Sequence, residues 1–296
     1  MKILFATDGS DYSRAAARFL ARFPFAADDE ITVLHAISWV PFKDDKESHY
    51  AGLKRVKQEI APRILDEAVT ILKSTKAKIS VALEEGYPDK TIFDGAAASG
   101  ADLIIMGARG LRGFQSLIIG SVTRAVAMTS PKSALIVKVT QETLPGKMRV
   151  LFATDGSEYS YAAARLLKVL PFPEETELSI LHTIWPPVSD IPERFVMEID
   201  ERVKDDVMKA RTIEYAESER ILEGAKEFLR GRFETIEGFT KIGDPSLEIL
   251  NAAATFHTDV IALGHRGLRG IRGMMGSVSR NVLIHAQCSV LIGKGE

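Results

Sequence analysis

The chain of 296 residues carries one cysteine, Cys288, so it can form no internal disulfide framework. That scarcity suits a reducing compartment. Cys288 lies in an apolar, strand-like run and reads as a small buried hydrophobe, not a reactive thiol. No charge of one sign dominates. Lys and Arg number 38 against 40 Asp and Glu, a formal net charge of −2. This leaves no global pull toward nucleic acid or anionic lipid, and neither is expected as a partner. No apolar run approaches a membrane span, and the short one in MKILFATDGS is too brief for a signal-peptide core. A soluble, cytoplasmic protein is the expectation. The six histidines show no zinc spacing. A G-x-S-x-G nucleophile elbow and a G-x4-G-K-[ST] phosphate loop are both missing.

What is present is a repeat. Lys2-Ile3-Leu4-Phe5-Ala6-Thr7-Asp8-Gly9-Ser10 returns as Arg149-Val150-Leu151-Phe152-Ala153-Thr154-Asp155-Gly156-Ser157. Thr32-Val33-Leu34-His35 returns as Ser179-Ile180-Leu181-His182. The loop from Gly107 to Gly113 returns from Gly264 to Gly270, and Gly120-Ser121-Val122 returns as Gly276-Ser277-Val278. So long a period means two whole domains, 1–140 and 147–296, and not a solenoid. Gln141–Lys147, with Pro145-Gly146, reads as the linker.

Strand and helix signals alternate within each copy. Strands are expected at Ile3–Ala6, Ile31–Ile37, Ile79–Leu83, Leu103–Met106 and Ala134–Val139. Ser10 or Asp11 can cap a helix running to Leu20, and Asp89–Ala98 follows the turn at Gly86-Tyr87-Pro88. A long amphipathic helix carries Leu53, Val56, Ile60, Ile64, Ala68 and Ile71, with a kink expected at Pro62. In the second copy a loop and a long helix occupy Pro186–Arg230. The fold class is α/β: two tandem doubly wound domains, each a five-stranded parallel sheet with helices on both faces. Ligands in such sheets sit beyond the strand C-terminal ends where the winding reverses. Asp8 and Gly107 fall there.

The stretch Asp102–Thr123 is strand, glycine loop, then helix start, an order suited to holding phosphate. Arg109 and Arg112 add positive charge, although a solvated loop face is an equal reading for these and for Arg266, Arg269 and Arg272. Asp8 and Asp155 are either ligand contacts or helix-capping acids. His35 and His182 read as packed or hydrogen-bonded structural histidines, Gly9 and Gly156 as turn glycines, and Trp39 and Trp185 as rim packing, with flanks for a bound base the alternative. The long helices read as cover for the core.

Gly107, Gly110, Gly120 and Ser121 complete the pattern G-x2-G-x9-G-[ST]. With the ATDGS strand end and the VLHA second strand, the sequence resembles the universal stress protein family in a tandem two-domain form, over nearly its whole length. The resemblance implies ATP or a related adenine nucleotide in the first domain. Asp8 and the Ala36 backbone would face the adenosine and Gly107 the ribose. Gly110, Gly120, Ser121 and Val122 would face the phosphates, with Arg109 beside them. Ser121 Oγ can donate to a phosphate oxygen or complete the shell of an accompanying Mg²⁺. The second-domain counterparts are Asp155, Thr183, Gly264, Arg266, Gly267, Gly276, Ser277 and Val278. There eight residues, not nine, separate Gly267 from Gly276. One residue spans about 3.8 Å, more than a phosphate hydrogen bond tolerates, so a weaker or altered second site is expected.

No catalytic set emerges. Asp8 is the only acid that can be placed in the first pocket, on the wrong side for a triphosphate's metal. The reading is a stress-response sensor in which nucleotide orders the loop Gly107–Gly120 and alters a surface seen by an unidentified protein partner. A slow ATPase or a nucleotidyl- or phosphoryl-transfer enzyme is the alternative, and a non-binding scaffold the third. The resemblance further implies that the last strands of the two domains pair as an internal pseudo-dimer, and that two chains associate as a homodimer.

Overall fold

A computed structural model describes residues 1–38, 47–111, 119–138, 147–185, 201–268 and 275–295. The first half runs β1 (Lys2–Ala6), α1 (Asp11–Ala21), β2 (Glu30–Ser38), α2 (Glu47–Leu72), β3 (Lys78–Gly86), α3 (Pro88–Ala98), β4 (Leu103–Gly107), α4 (Ser121–Thr129) and β5 (Ser133–Val137). The second half repeats it as β6 (Arg149–Ala153), α5 (Glu158–Val169), β7 (Glu177–Ile184), α6 (Glu201–Leu229), β8 (Thr235–Ile242), α7 (Pro245–Thr255), β9 (Val260–Gly264), α8 (Ser277–His285) and β10 (Ser289–Gly293). The linker 141–146 lies outside the described residues. So do Trp39, Pro41, Arg112, Gly113, Arg269, Gly270 and Arg272. α2 continues through Pro62, where the sequence predicts a kink. Among the described residues no helix is long and apolar enough to cross a membrane.

Each half is a parallel sheet, but the halves do not remain separate. They form one ten-stranded sheet in the order β3-β2-β1-β4-β5-β10-β9-β6-β7-β8. Among the described residues its one antiparallel pairing joins β5 to β10, with Leu135 opposite Leu291. The central strands β4, β5, β9 and β10 are buried throughout, as their apolar runs require when helices cover both faces. The edge strands β3 and β8 are amphipathic, and Lys78, Glu84 and Glu85 on β3 guard against edge-to-edge pairing.

Helices α1, α2, α5 and α6 cover one face over a core rich in phenylalanine. Phe23 and Phe172 meet there across the two halves with ring centroids 5.2 Å apart. Helices α3, α4, α7 and α8 cover the other face. The reversal of winding falls between β1 and β4, which pair from Ile3–Leu103 to Ala6–Met106. This brings the end of β1 beside the glycine loop.

Candidate functional site

Two local devices shape the end of β1. Gly9 adopts φ +76°, a turn that an L residue resists, and the counterpart Gly156 does the same at +74°. Ser10 then caps α1 by accepting from the Ser13 N–H at 3.2 Å. Asp8 is therefore not the cap. Its Oδ1 accepts from Ser10 N and its Oδ2 from Leu111 N, both at 3.1 Å, tying the strand end to the glycine loop. His35 shares a 2.8 Å hydrogen bond between Nδ1 and the Thr7 carbonyl, a structural link of the kind expected for it.

The loop is fastened at its far end as well. Gly120 N donates to Ala108 O at 2.8 Å, and Thr123 Oγ1 donates to Gly107 O at 3.0 Å. The N-cap of α4 is Gly120, with no side-chain acceptor, whereas α1 and α7 are capped by Ser10 and Asp244. The first N–H groups of α4 thus lack the acceptor that a capping side chain supplies elsewhere.

A cavity of about 740 Å³ opens at this point. Asp8, Ala36, Gly107, Arg109, Gly110, Gly120, Ser121 and Val122 all line it, so the first-domain candidates converge on one space. Asp8 is the only acid among its described lining residues. Arg109 lines it while lying over the Tyr12 ring, 5.3 Å from the centroid.

The sequence reading missed the opposite wall, which α2 supplies through Val56, Lys57, Ile60 and Ile64. Val56 is 50% exposed and Ile60 46%. Periodicity gave no sign of it, because the apolar spacing of α2 runs on unchanged past the part that the sheet covers. α2 is core cover at its C-terminal end and cavity wall above it.

In the second domain the same ties recur. Asp155 accepts from Ser157 N at 3.1 Å and from Leu268 N at 2.9 Å. Gly276 N donates to His265 O at 2.8 Å, and Ser279 Oγ to Gly264 O at 2.6 Å. Gly276 is again a cap without a side chain, preceding Ser277 and Val278. Thr183 takes the place of Ala36 on β7, and Gly267 lies against Asp155 as Gly110 lies against Asp8. Trp185 stands 53% exposed after β7.

His265, where the first domain has Ala108, makes the difference at the loop. Its Nε2 accepts from Arg266 Nε at 3.1 Å, and Arg266 also reaches Tyr159 OH at 3.3 Å while stacking on that ring. The imidazole proton therefore belongs on Nδ1, which is enclosed without a partner among the described residues.

Burial, then the charges of Arg266 and Lys294, push the His265 pKa down from 6.5 to about 4. Between these values the unfolded chain binds a proton that the folded chain does not. Stability should fall on acidification through that window by up to about 3 kcal/mol. His265→Ala, which installs the first domain's own residue, should remove this component. Urea unfolding at neutral and acidic pH measures it, and an unchanged acid slope would contradict the assignment. Burial also raises the Cys288 thiol to about 11, in keeping with an unreactive side chain.

Comparison with known proteins gives consistent results. The model of the Universal stress protein family matches residues 1–138 and 147–294. A universal stress protein of Bacillus subtilis, YxiE, is 34% identical over 154 residues, 49% of this chain and 97% of its own. One from Thermus aquaticus is 32% identical over 136 residues, 46% of this chain and 97% of its own. A crystal structure of a universal stress protein from Archaeoglobus fulgidus covers 99% of this chain and 98% of its own. It matches at 22% identity with a TM-score of 0.64.

Proposed function

The chain belongs to the universal stress protein family, and we propose that its first domain binds an adenine nucleotide, ATP foremost, and acts as a nucleotide-responsive regulator in the stress response. One observation carries this reading. A cavity of nucleotide size opens onto a glycine-lined loop, an arginine and the glycine-capped N-terminus of α4. Phosphate oxygens supply the acceptors that such a helix start lacks, and the positive end of its dipole favours them. The apolar α2 wall with Ile37 and Ile92 offers a surface for a base, and the Ala36 backbone and Asp8 offer polar contacts.

A magnesium ion travelling with the nucleotide would find Ser121 Oγ among the lining residues. No cluster of three or more His, Cys, Asp or Glu suited to a metal occurs among the described residues. Asp8, the one acid among the described lining residues, already accepts two backbone hydrogen bonds, which favours binding without turnover.

Titration calorimetry with ATP, ADP and AMP in magnesium buffer tests the reading. Saturable heat is expected, with Ser121→Ala weakening ATP about fivefold, the loss of one hydrogen bond. No heat at millimolar nucleotide would end the proposal. Magnesium-dependent phosphate release that Ser121→Ala abolishes would favour the slow ATPase instead.

A further inference from the structure

Helices α2 and α6 occupy equivalent places, and their packing fixes the register between them. A Cβ on Gly9 would lie 3.1 Å from Ile64, and one on Gly156 would lie 3.0 Å from Ile221. Ala61 and Ser218, three residues earlier in each helix, are both fully buried. Counting back from these anchors, Val56, Lys57 and Ile60 of the first cavity wall correspond to Ile213, Glu214 and Glu217. Over one helical turn a cation and an apolar side chain have become two carboxylates.

Both carboxylates stand on the helix that would wall a second pocket, at the positions of Lys57 and Ile60 in the first. Arg220 donates to Glu217 from Nε at 2.9 Å and Nη2 at 2.6 Å, holding that carboxyl below its usual range and therefore ionised. His182, whose counterpart His35 lines the first cavity, is among the groups that hold the Glu217 carboxyl low. Glu214 Oε2 is enclosed and has no donor among the described residues. A phosphate chain brings further negative charge and only acceptors to such a wall. A nucleoside brings hydroxyl and amino donors and no charge.

The phosphate end has changed in the same sense. Arg266 is held by His265 Nε2 and Tyr159 OH, an arrangement Ala108 cannot reproduce, and the loop to Gly276 is one residue shorter. Of the end expected to face an adenosine, Asp155 and Gly264 are preserved, with Thr183 in place of Ala36.

We propose that the second pocket takes an uncharged adenine nucleoside and turns away its phosphorylated forms, with Glu214 and Glu217 setting that preference. This rests on the reading of the first domain as an adenine-nucleotide site.

Calorimetry on the full chain tests it. ATP with magnesium should bind once per chain, and adenosine titrated into the ATP-saturated protein should bind once more. Two ATP per chain, or no adenosine uptake by the saturated protein, would overturn the proposal alone. ATP binding to neither domain would remove the first-domain reading and this proposal together. Glu214→Lys/Glu217→Ile, which installs the first domain's residues, should tighten ATP at the second pocket at least tenfold. A variant with the wild-type unfolding midpoint and no gain in ATP binding would overturn the assignment to these two residues.

Discussion

Gly107→Ala is expected to destabilise the protein by about 3 kcal/mol, while Gly110→Ala, three residues on, is expected to spare the fold and weaken ATP at least tenfold. The two glycines stand in one loop but face different neighbours. A Cβ on Gly107 would lie 2.6 Å from the Tyr12 carbonyl carbon and 2.9 Å from Ser13 N. These are backbone atoms of α1, and helix and strand must separate to admit it. Close-packed interiors resist such a shift, and overpacking costs of this order follow. A Cβ on Gly110 would lie 2.4 Å from Asp8 Oδ2, the end of a side chain that can swing aside. Swinging aside breaks the Asp8–Leu111 tie, worth about 1 kcal/mol in stability. It also displaces two groups that line the cavity, and binding takes the larger loss. Thermal unfolding and calorimetry on the two variants separate the effects. Equal losses of stability in both, or unchanged ATP affinity in Gly110→Ala, would refute the division.

Much of this arrangement was open to reading in the chain. The repeat places Asp8 beside Gly107 in one half and Asp155 beside Gly264 in the other, because both motifs end strands that a doubly wound order makes adjacent. What the motifs could not supply was the far wall of the cavity. Val56 and Ile60 belong to the same three-and-four series as Ile64 and buried Ala68, so periodicity alone assigns them all to the core. Only the point where the sheet stops beneath α2 distinguishes wall from core, and that is a tertiary fact. The role of Asp8 was equally hidden. A carboxylate after a strand reads as a cap or a ligand contact, but here Ser10 is the cap and Asp8 fastens the loop. Similarly, the stacking of Arg109 on Tyr12 joins residues far apart in sequence that no local pattern connects.

The same repeat generates a seam whose strength two lysines should decide. β5 and β10 pair over only three residues on each strand, and the residue after each strand is a lysine just beyond it. Lys138 sends its Nζ to Leu283 O at 2.6 Å and Ala286 O at 2.7 Å, at the C-terminal end of α8. Lys294 reaches back to Ser130 O, the C-cap of α4, completing the reciprocal pair. Their backbone N–H groups donate to Ser289 Oγ at 3.4 Å and Ser133 Oγ at 3.0 Å across the same seam. Each ammonium thus meets carbonyls that the helix leaves unpaired, at the negative end of its dipole. Lys138→Met should leave Leu283 O and Ala286 O without that donor in a half-buried setting, lowering stability by about 3 kcal/mol. With Lys294→Met added, the two halves should part before either unfolds, and proteolysis should then release them as separate fragments. The consequence would extend to the site, because Ala108 N donates to Val137 O and His265 N to Gly293 O, immediately before each lysine. A single cooperative transition in the double variant, within about 0.5 kcal/mol of wild type, would mean that the β5–β10 pairing and the Phe23–Phe172 contact hold the halves together unaided.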